Sequence, residues 1–221
     1  MNRRVLVVVG AALALILVVL VVAQLVLPGV AADRLRDQLS RSGTVEQVEV
    51  DAFPAIELLW HRADRVVIRM ASYRSTTSAL STTLDRIGDA GSLDASVRQL
   101  DTGLLTLRDA SLTKRGNELH ASATVTEADL RSSIPALDSV TPVSSGGGQL
   151  TLRGTATVLG VTASVDVTVG PRNGALVAAP DLPFGGFATI TLFSNPRIVV
   201  DGVNATPTPG GLTLTARAHV A

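Results

Sequence analysis

Apolar and polar residues alternate with a period of two along most of this chain. Val48, Val50 and Ala52 alternate with Glu49 and Asp51, and Val66, Ile68 and Met70 with Arg65 and Arg69. Leu119, Ala121, Ala123 and Val125 alternate with His120, Ser122 and Thr124. Leu150, Leu152, Ala156 and Val158 alternate with Thr151, Arg153, Thr155 and Thr157; Val161, Ala163, Val165, Val167 and Val169 follow. Leu212, Leu214, Ala216, Ala218 and Val220 close the chain. Such alternation buries one face and wets the other, the mark of an antiparallel sheet. Several runs approach nine residues, about 30 Å at roughly 3.3 Å per residue. Gly160 lies between two of them, which predicts a hairpin over Gln149 to Gly170.

Helical spacing is scarcer. Leu35 and Leu39 mark a short amphipathic helix over Val30 to Ser42, with Gly43 placed to end it. Thr126-Glu127-Ala128-Asp129 reads as a capped start, a hydroxyl followed three residues later by a carboxylate. The helix it opens carries Leu130, Ile134 and Leu137, with Pro135 bending or ending it. Ser78 to Ile87 predicts another helix, on Leu80, Leu84 and Ile87. Ser144 to Gly148 reads as a flexible loop and Thr206 to Gly211 as a turn. No repeat stands out, so the expectation is α+β: one sheet of long strands with two or three helices.

A different pattern fills Val5 to Leu27, an apolar run broken by a strongly polar group only at Gln24. As a helix it is long enough to cross a bilayer's hydrocarbon core of ~30 Å. Arg3 and Arg4 precede it and no basic residue follows until Arg34, which leaves the N-terminus cytoplasmic and exports the rest. A cleaved signal peptide, with Val30-Ala31-Ala32 as cleavage site, is the rival. The run exceeds the ~7–15 residues usual for a signal's apolar region, which favours an uncleaved anchor. The expected organisation is residues 1–32 as anchor or signal and 33–221 as a single exported domain on the outer side of the cytoplasmic membrane.

Composition narrows the chemistry. The 19 basic and 19 acidic residues balance and form no run of like charge, which argues against nucleic acid and a polybasic lipid clamp. Cysteine is absent, removing disulfides and thiol chemistry. Aromatic residues are 3% against 46% apolar, so the interior is aliphatic and stacking platforms are scarce. His61, His120 and His219 stand in no metal-binding context, and no nucleophile elbow, P-loop or close carboxylate pair is present. No catalytic, metal or cofactor site is expected.

The conspicuous non-periodic segment is Phe53 to Trp60, which holds the only tryptophan. It suits a loop tucked into the end of the core, or an apolar lip at a cavity mouth or membrane surface. Two or three short helices are also scant cover for so extensive an aliphatic face. Either the sheet curls over itself or a guest such as a lipid tail fills the gap.

The order of these pieces resembles the LmeA-type phospholipid-binding family of actinobacterial envelope proteins. The matching elements are the apolar N-terminal segment, Gly43-Thr44-Val45 leading into Val48-Glu49-Val50, then Phe53-Pro54 and the strand Asp64 to Met70. Thr126-Glu127-Ala128-Asp129-Leu130, Leu182-Pro183-Phe184-Gly185 and Gly211-Leu212 follow in order. Trp60-His61-Arg62-Ala63 stands where the pattern would have a glycine. The resemblance implies a non-enzymatic periplasmic lipid binder with a long curved antiparallel sheet wrapped around a few helices, similar to the tubular lipid-binding class, preceded by one transmembrane helix. On that reading an aliphatic groove lined by Phe53, Ile56, Leu59, Trp60, Val66, Ile68, Met70, Val125, Leu130, Ile134 and Phe184 holds phospholipid acyl chains, with Arg62 and Arg65 at the headgroup. The expected partners are phospholipid, the membrane through the N-terminal helix, and an envelope protein; a groove that docks such a protein without lipid is the alternative, and an enzyme on envelope glycolipids the third.

Overall fold

The computed structural model describes residues 26–52, 63–75, 90–103, 105–133, 138–158, 161–181 and 189–221. A helix over residues 26–40 (α1) is followed by β1 (Gly43–Asp51), β2 (Arg65–Arg74), β3 (Ser92–Asp101), β4 (Thr106–Arg115) and β5 (Glu118–Thr126). Helix α2 (Glu127–Ser133) leads to β6 (Ser139–Gly146), β7 (Gln149–Val158), β8 (Val161–Arg172), β9 (Ala175–Pro180) and β10 (Ile190–Phe193). Strands β11 (Ile198–Thr208) and β12 (Gly211–Val220) close the chain. The α+β class holds: long strands dominate and the helices are short.

Two departures from one antiparallel sheet matter. Among the described residues the strands form two sheets, one of seven in the order β1-β2-β3-β4-β5-β12-β11 and one of five in the order β10-β9-β8-β7-β6. And β2 runs parallel to β3, from Arg65↔Ser92 to Arg74↔Asp101. A parallel pair needs a crossover of a dozen or more residues, and residues 75–91 separate these strands. Alternation reports a half-buried strand but says nothing of its neighbour's direction.

The expected hairpin over β7 and β8 forms, paired from Leu150↔Val169 to Val158↔Val161. Ser144 to Gly148 is not a loop. Strand β6 runs through Gly146, and Gly147 and Gly148 make a two-residue turn at φ 61° and 80°, the primed geometry that matches strand twist. Asn173 and Gly174 do the same between β8 and β9, at φ 52° and 78°. Gly43 does not cap α1 but opens β1, where a Cβ would sit 2.0 Å from the Ser72 carbonyl oxygen. The capped start at Thr126 is as expected: the Asp129 N–H donates to Thr126 Oγ1 at 3.1 Å.

Helix α1 packs Ala31, Ala32, Leu35 and Leu39 against a cluster of Val50, Val66, Ile68, Met70 and Leu93. Val26 and Val30, in the described part of α1, are exposed. The predicted transmembrane helix lies almost wholly in residues outside the described ones; no described helix is long and apolar enough to cross a membrane. The helix expected over Ser78 to Ile87 also falls outside them.

The sheets meet at β11. Its outer edge receives the turns of the five-stranded sheet: the Val203 N–H donates to the Gly148 carbonyl at 3.0 Å, and the Val200 N–H to the Gly174 carbonyl at 2.9 Å. Gly148 and Gly202 cross so closely that a Cβ on Gly202 would lie 2.8 Å from the Gly148 Cα.

Candidate functional site

Register places the alternating residues in rows that cross the seven-stranded sheet. One row is Val48, Ile68, Ala95, Leu112, Ala121, Ala216 and Val203, one residue from each strand and every one aliphatic. At ~4.8 Å between strands it spans roughly 29 Å. Ile68 is buried; the other six are only half-buried. The row beside it, Val50, Val66, Leu93, Lys114, Leu119, Ala218 and Val200, is buried except at half-buried Ala218. The result is an aliphatic strip with one side closed and its middle incompletely covered.

The opposite face is polar in the matching rows apart from the buried Val67. Gln47, Arg69, Ser96, Ser111, Ser122, Thr215 and Asn204 form one of them. Arg69 clasps Asp94 there through two hydrogen bonds of 2.9 and 3.2 Å. That bond holds the Asp94 carboxyl below its ordinary range and raises Arg69. His120 and His219 also lie on this side, His219 Nδ1 2.8 Å from Asp201 Oδ1, as their polar phase predicts.

One charged group intrudes on the apolar side. Lys114, the chain's only lysine, is 5% exposed within the aliphatic row, and its Nζ donates to the Ala90 carbonyl. At the far end Arg108 reaches the buried Asp129 of α2, with contacts of 2.8 and 3.0 Å. Arg108 is set by a register shift before Ser111, with Asp109 in the left-handed region at φ 48°. The guanidinium, then the Thr126 hydroxyl, hold the Asp129 carboxyl below its ordinary range against the opposing effect of burial.

Of the predicted groove residues, Val66, Ile68 and Met70 lie together, buried on the aliphatic side of β2. Val125 ends β5 at 1% exposure, and Leu130 is half-buried on adjoining α2. Strands β3 and β4 separate these two groups, and the half-buried row links them. Arg65 is exposed in the polar phase of β2, on the other side of the sheet from Val66. Phe53, Ile56, Leu59, Trp60, Arg62, Ile134 and Phe184 lie outside the described residues. Sequence reasoning did not single out Val48, Ala95, Leu112, Ala121, Ala216 and Val203, the residues that make up this row with Ile68. The alternation of Leu93, Ala95 and Val97 in β3 could have found Ala95; Lys114 in the apolar phase masked β4.

Two clefts among the described residues are lined mainly by polar residues, the first also by Ala121, Val203 and Ala216 of the aliphatic row. One lies on the polar face beneath the Gly147-Gly148 turn, lined by Ser111, Thr113, Ser122, Thr215 and Arg217; the other is lined by Arg41, Ser72, Arg74, Gln99 and Asp101. Neither is an acyl-chain channel. No group of side chains suited to a metal ion occurs among the described residues.

Among the described residues, two sheets and two helices with a half-buried aliphatic row define an α+β protein. A family model for LmeA-like phospholipid-binding proteins matches residues 18–218. The chain belongs to that family, which is a phospholipid-binding family and not an enzyme family. Comparison with curated proteins and with solved structures gave no match.

Proposed function

We propose that the protein holds phospholipid acyl chains along the aliphatic row of the seven-stranded sheet, on the outer side of the cytoplasmic membrane, in service of envelope lipid or lipoglycan biogenesis or transport. The observation that carries the reading is the row from Val48 to Val203, aliphatic on all seven strands and half-buried on six. One leaflet's hydrocarbon is about 15 Å deep, half of the bilayer's ~30 Å core, so a row of roughly 29 Å accommodates a whole tail. Burying a tail of about 16 carbons at ~0.8 kcal/mol per CH₂ gives on the order of 12 kcal/mol gross. Most of that is cancelled, because the tail leaves a bilayer that is already apolar. A small net preference suits loading and release.

The segment Phe53 to Trp60, with Ile134 and Phe184, completes the groove in this reading. Arg62 and Arg65 serve the headgroup, Arg65 from the first position of β2. Placement on the outer side is supported by Arg3 and Arg4 ahead of the apolar run.

Native mass spectrometry of the purified protein, with organic extraction of the same sample, tests the function. Phospholipid at one or a few equivalents is the expected result. Protein that carries none, and takes none from vesicles, would favour the docking module instead.

A further inference from the structure

Strands β2 and β3 run parallel, so the residues that share a face on them keep step from end to end. On the aliphatic side these are Val66, Ile68 and Met70 in β2, and Leu93, Ala95 and Val97 in β3. Past Met70↔Val97 the same phase turns polar, with Ser72 beside Gln99 and Arg74 beside Asp101. Exposure rises in the same direction. Val66 and Leu93 are buried, Ala95 and Val97 are half-buried, and Gln99 and Arg74 are exposed. The aliphatic strip is thus shut near Val66 and opens toward Arg74, where its chemistry changes.

Helix α1 brings a second arginine to this end. It packs Leu35 and Leu39 on the cluster of Val66, Ile68 and Met70, and the chain leaves it beside the last residues of β2. The Arg74 N–H donates to the Ser42 carbonyl at 2.7 Å, which fixes the junction. The second of the two clefts lies here, with a volume of about 470 Å³, lined by Arg41, Ser42, Ser72, Arg74, Gln99 and Asp101. Arg74 donates to Asp101 through Nε at 3.2 Å, and the Arg74 side chain is 84% exposed. Arg41 is exposed as well. Two guanidiniums against one carboxylate leave the cleft with a net positive charge.

Donors of this kind suit a phosphate ester. A guanidinium offers paired N–H groups at the spacing of phosphate oxygens, and the Gln99 amide is a further donor. Ser72 and Gln99 follow Met70 and Val97 by two residues, roughly 7 Å along the strands. A phospholipid joins phosphate to tails through a short glycerol, so a phosphate held here leaves the tails at the mouth of the strip.

We infer that this cleft is a phosphate seat for a phospholipid whose tails enter the strip, with Arg41 and Arg74 as the groups that hold it. The inference rests on the phospholipid-binding reading. It adds a second headgroup contact, at the opposite end of β2 from Arg65. The attraction is between charges at an exposed site, so salt weakens it.

Full-length protein in detergent micelles is titrated with phosphatidic acid carrying a fluorescent tail. It is titrated in parallel with diacylglycerol of the same tails, which differs only in lacking the phosphate. The expected result is that phosphatidic acid binds about tenfold tighter or more, the worth of one charge-assisted hydrogen bond, and that high salt narrows the gap. Arg41→Gln combined with Arg74→Gln should remove most of this preference and leave the diacylglycerol affinity unchanged. Far-UV circular dichroism checks the fold, to which an exposed pair such as Arg74–Asp101 contributes little. Arg65→Gln serves as the comparison. A preference that survives the double variant, or that is lost only with Arg65→Gln, overturns the proposal. So does an equal loss of both lipids, which would make the two arginines structural. Inorganic phosphate that binds as tightly as phosphatidic acid, and is lost in the double variant, would make the cleft a free-anion site and overturn it too. Wild-type protein that binds both lipids equally defeats only the seat, whereas protein that binds neither defeats the carrier reading and the seat with it.

Discussion

Arg108 clasps Asp129 through two parallel hydrogen bonds, Nε to Oδ2 at 2.8 Å and a terminal guanidinium nitrogen to Oδ1 at 3.0 Å, joining strand β4 to helix α2. Asp94 and Asp166 are held in the same way, by Arg69 and Arg153. All three carboxyls titrate below their ordinary range in the folded protein. Their contribution to stability is therefore complete above the ordinary aspartate value of about 4, and is lost as pH falls through the lower folded values. Urea midpoints measured from pH 7 downward should stay level to about pH 4 and then fall. Asp129→Asn should lower the plateau and flatten part of that fall. An unchanged acid limb in this variant would refute the assignment.

Thr126 serves α2 twice, accepting the Asp129 N–H and donating its hydroxyl to Asp129 Oδ2 at 2.6 Å. Thr126→Val keeps the shape and removes both bonds. The expected loss is about 1 kcal/mol in equilibrium urea unfolding, the usual worth of an N-cap. Thr126→Ser should recover most of it.

Gly202 and Gly148 bring the two sheets into backbone contact. A methyl on Gly202 would sit 2.8 Å from the Gly148 Cα, where no flexible side chain can yield. Gly202→Ala should cost about 1–3 kcal/mol, the usual range for overpacking. Hydrogen exchange should show it first at the Val203 and Val200 amides, which bond the turns of the smaller sheet.

Adjacent residues of β12 offer a test of the aliphatic strip. Ala216 is half-buried in the row, and Thr215 is exposed on the polar face. Ala216→Asp should cut the phospholipid recovered with the protein tenfold or more, since a loss of ~1.4 kcal/mol suffices for that factor. Thr215→Asp should leave recovery unchanged. Equal recovery from the two variants would remove the strip from the site.

Much of this architecture was legible in the residue pattern. β1, β2, β5, β7, β8 and β12 lie where alternation places them, because each sets apolar residues at every second position. The strands that escaped notice break that rule locally. Lys114 interrupts the apolar phase of β4 and finds its partner in the Ala90 carbonyl, which only the fold brings near. A bulge between Val200 and Gly202 shifts the phase of β11 midway. The burial of Val66, Ile68, Met70 and Val125 was legible because they are large and regular, whereas Ala95, Ala121 and Ala216 come into one row only because pairing aligns them across strands. Pairing partners and strand direction are set by crossovers and turn contacts far apart in the chain, to which periodicity is blind.

The hairpin turns seated on β11 also give the larger sheet a polarity of growth. With Gly148 and Gly174 occupying amides on that flank, β1 is the edge left for another chain to extend, among the described residues. Glu46, Glu49 and Asp51 lie along it. A second molecule pairing its own β1 there would set acid against acid, so the strand left open is also the one whose charge keeps identical copies apart.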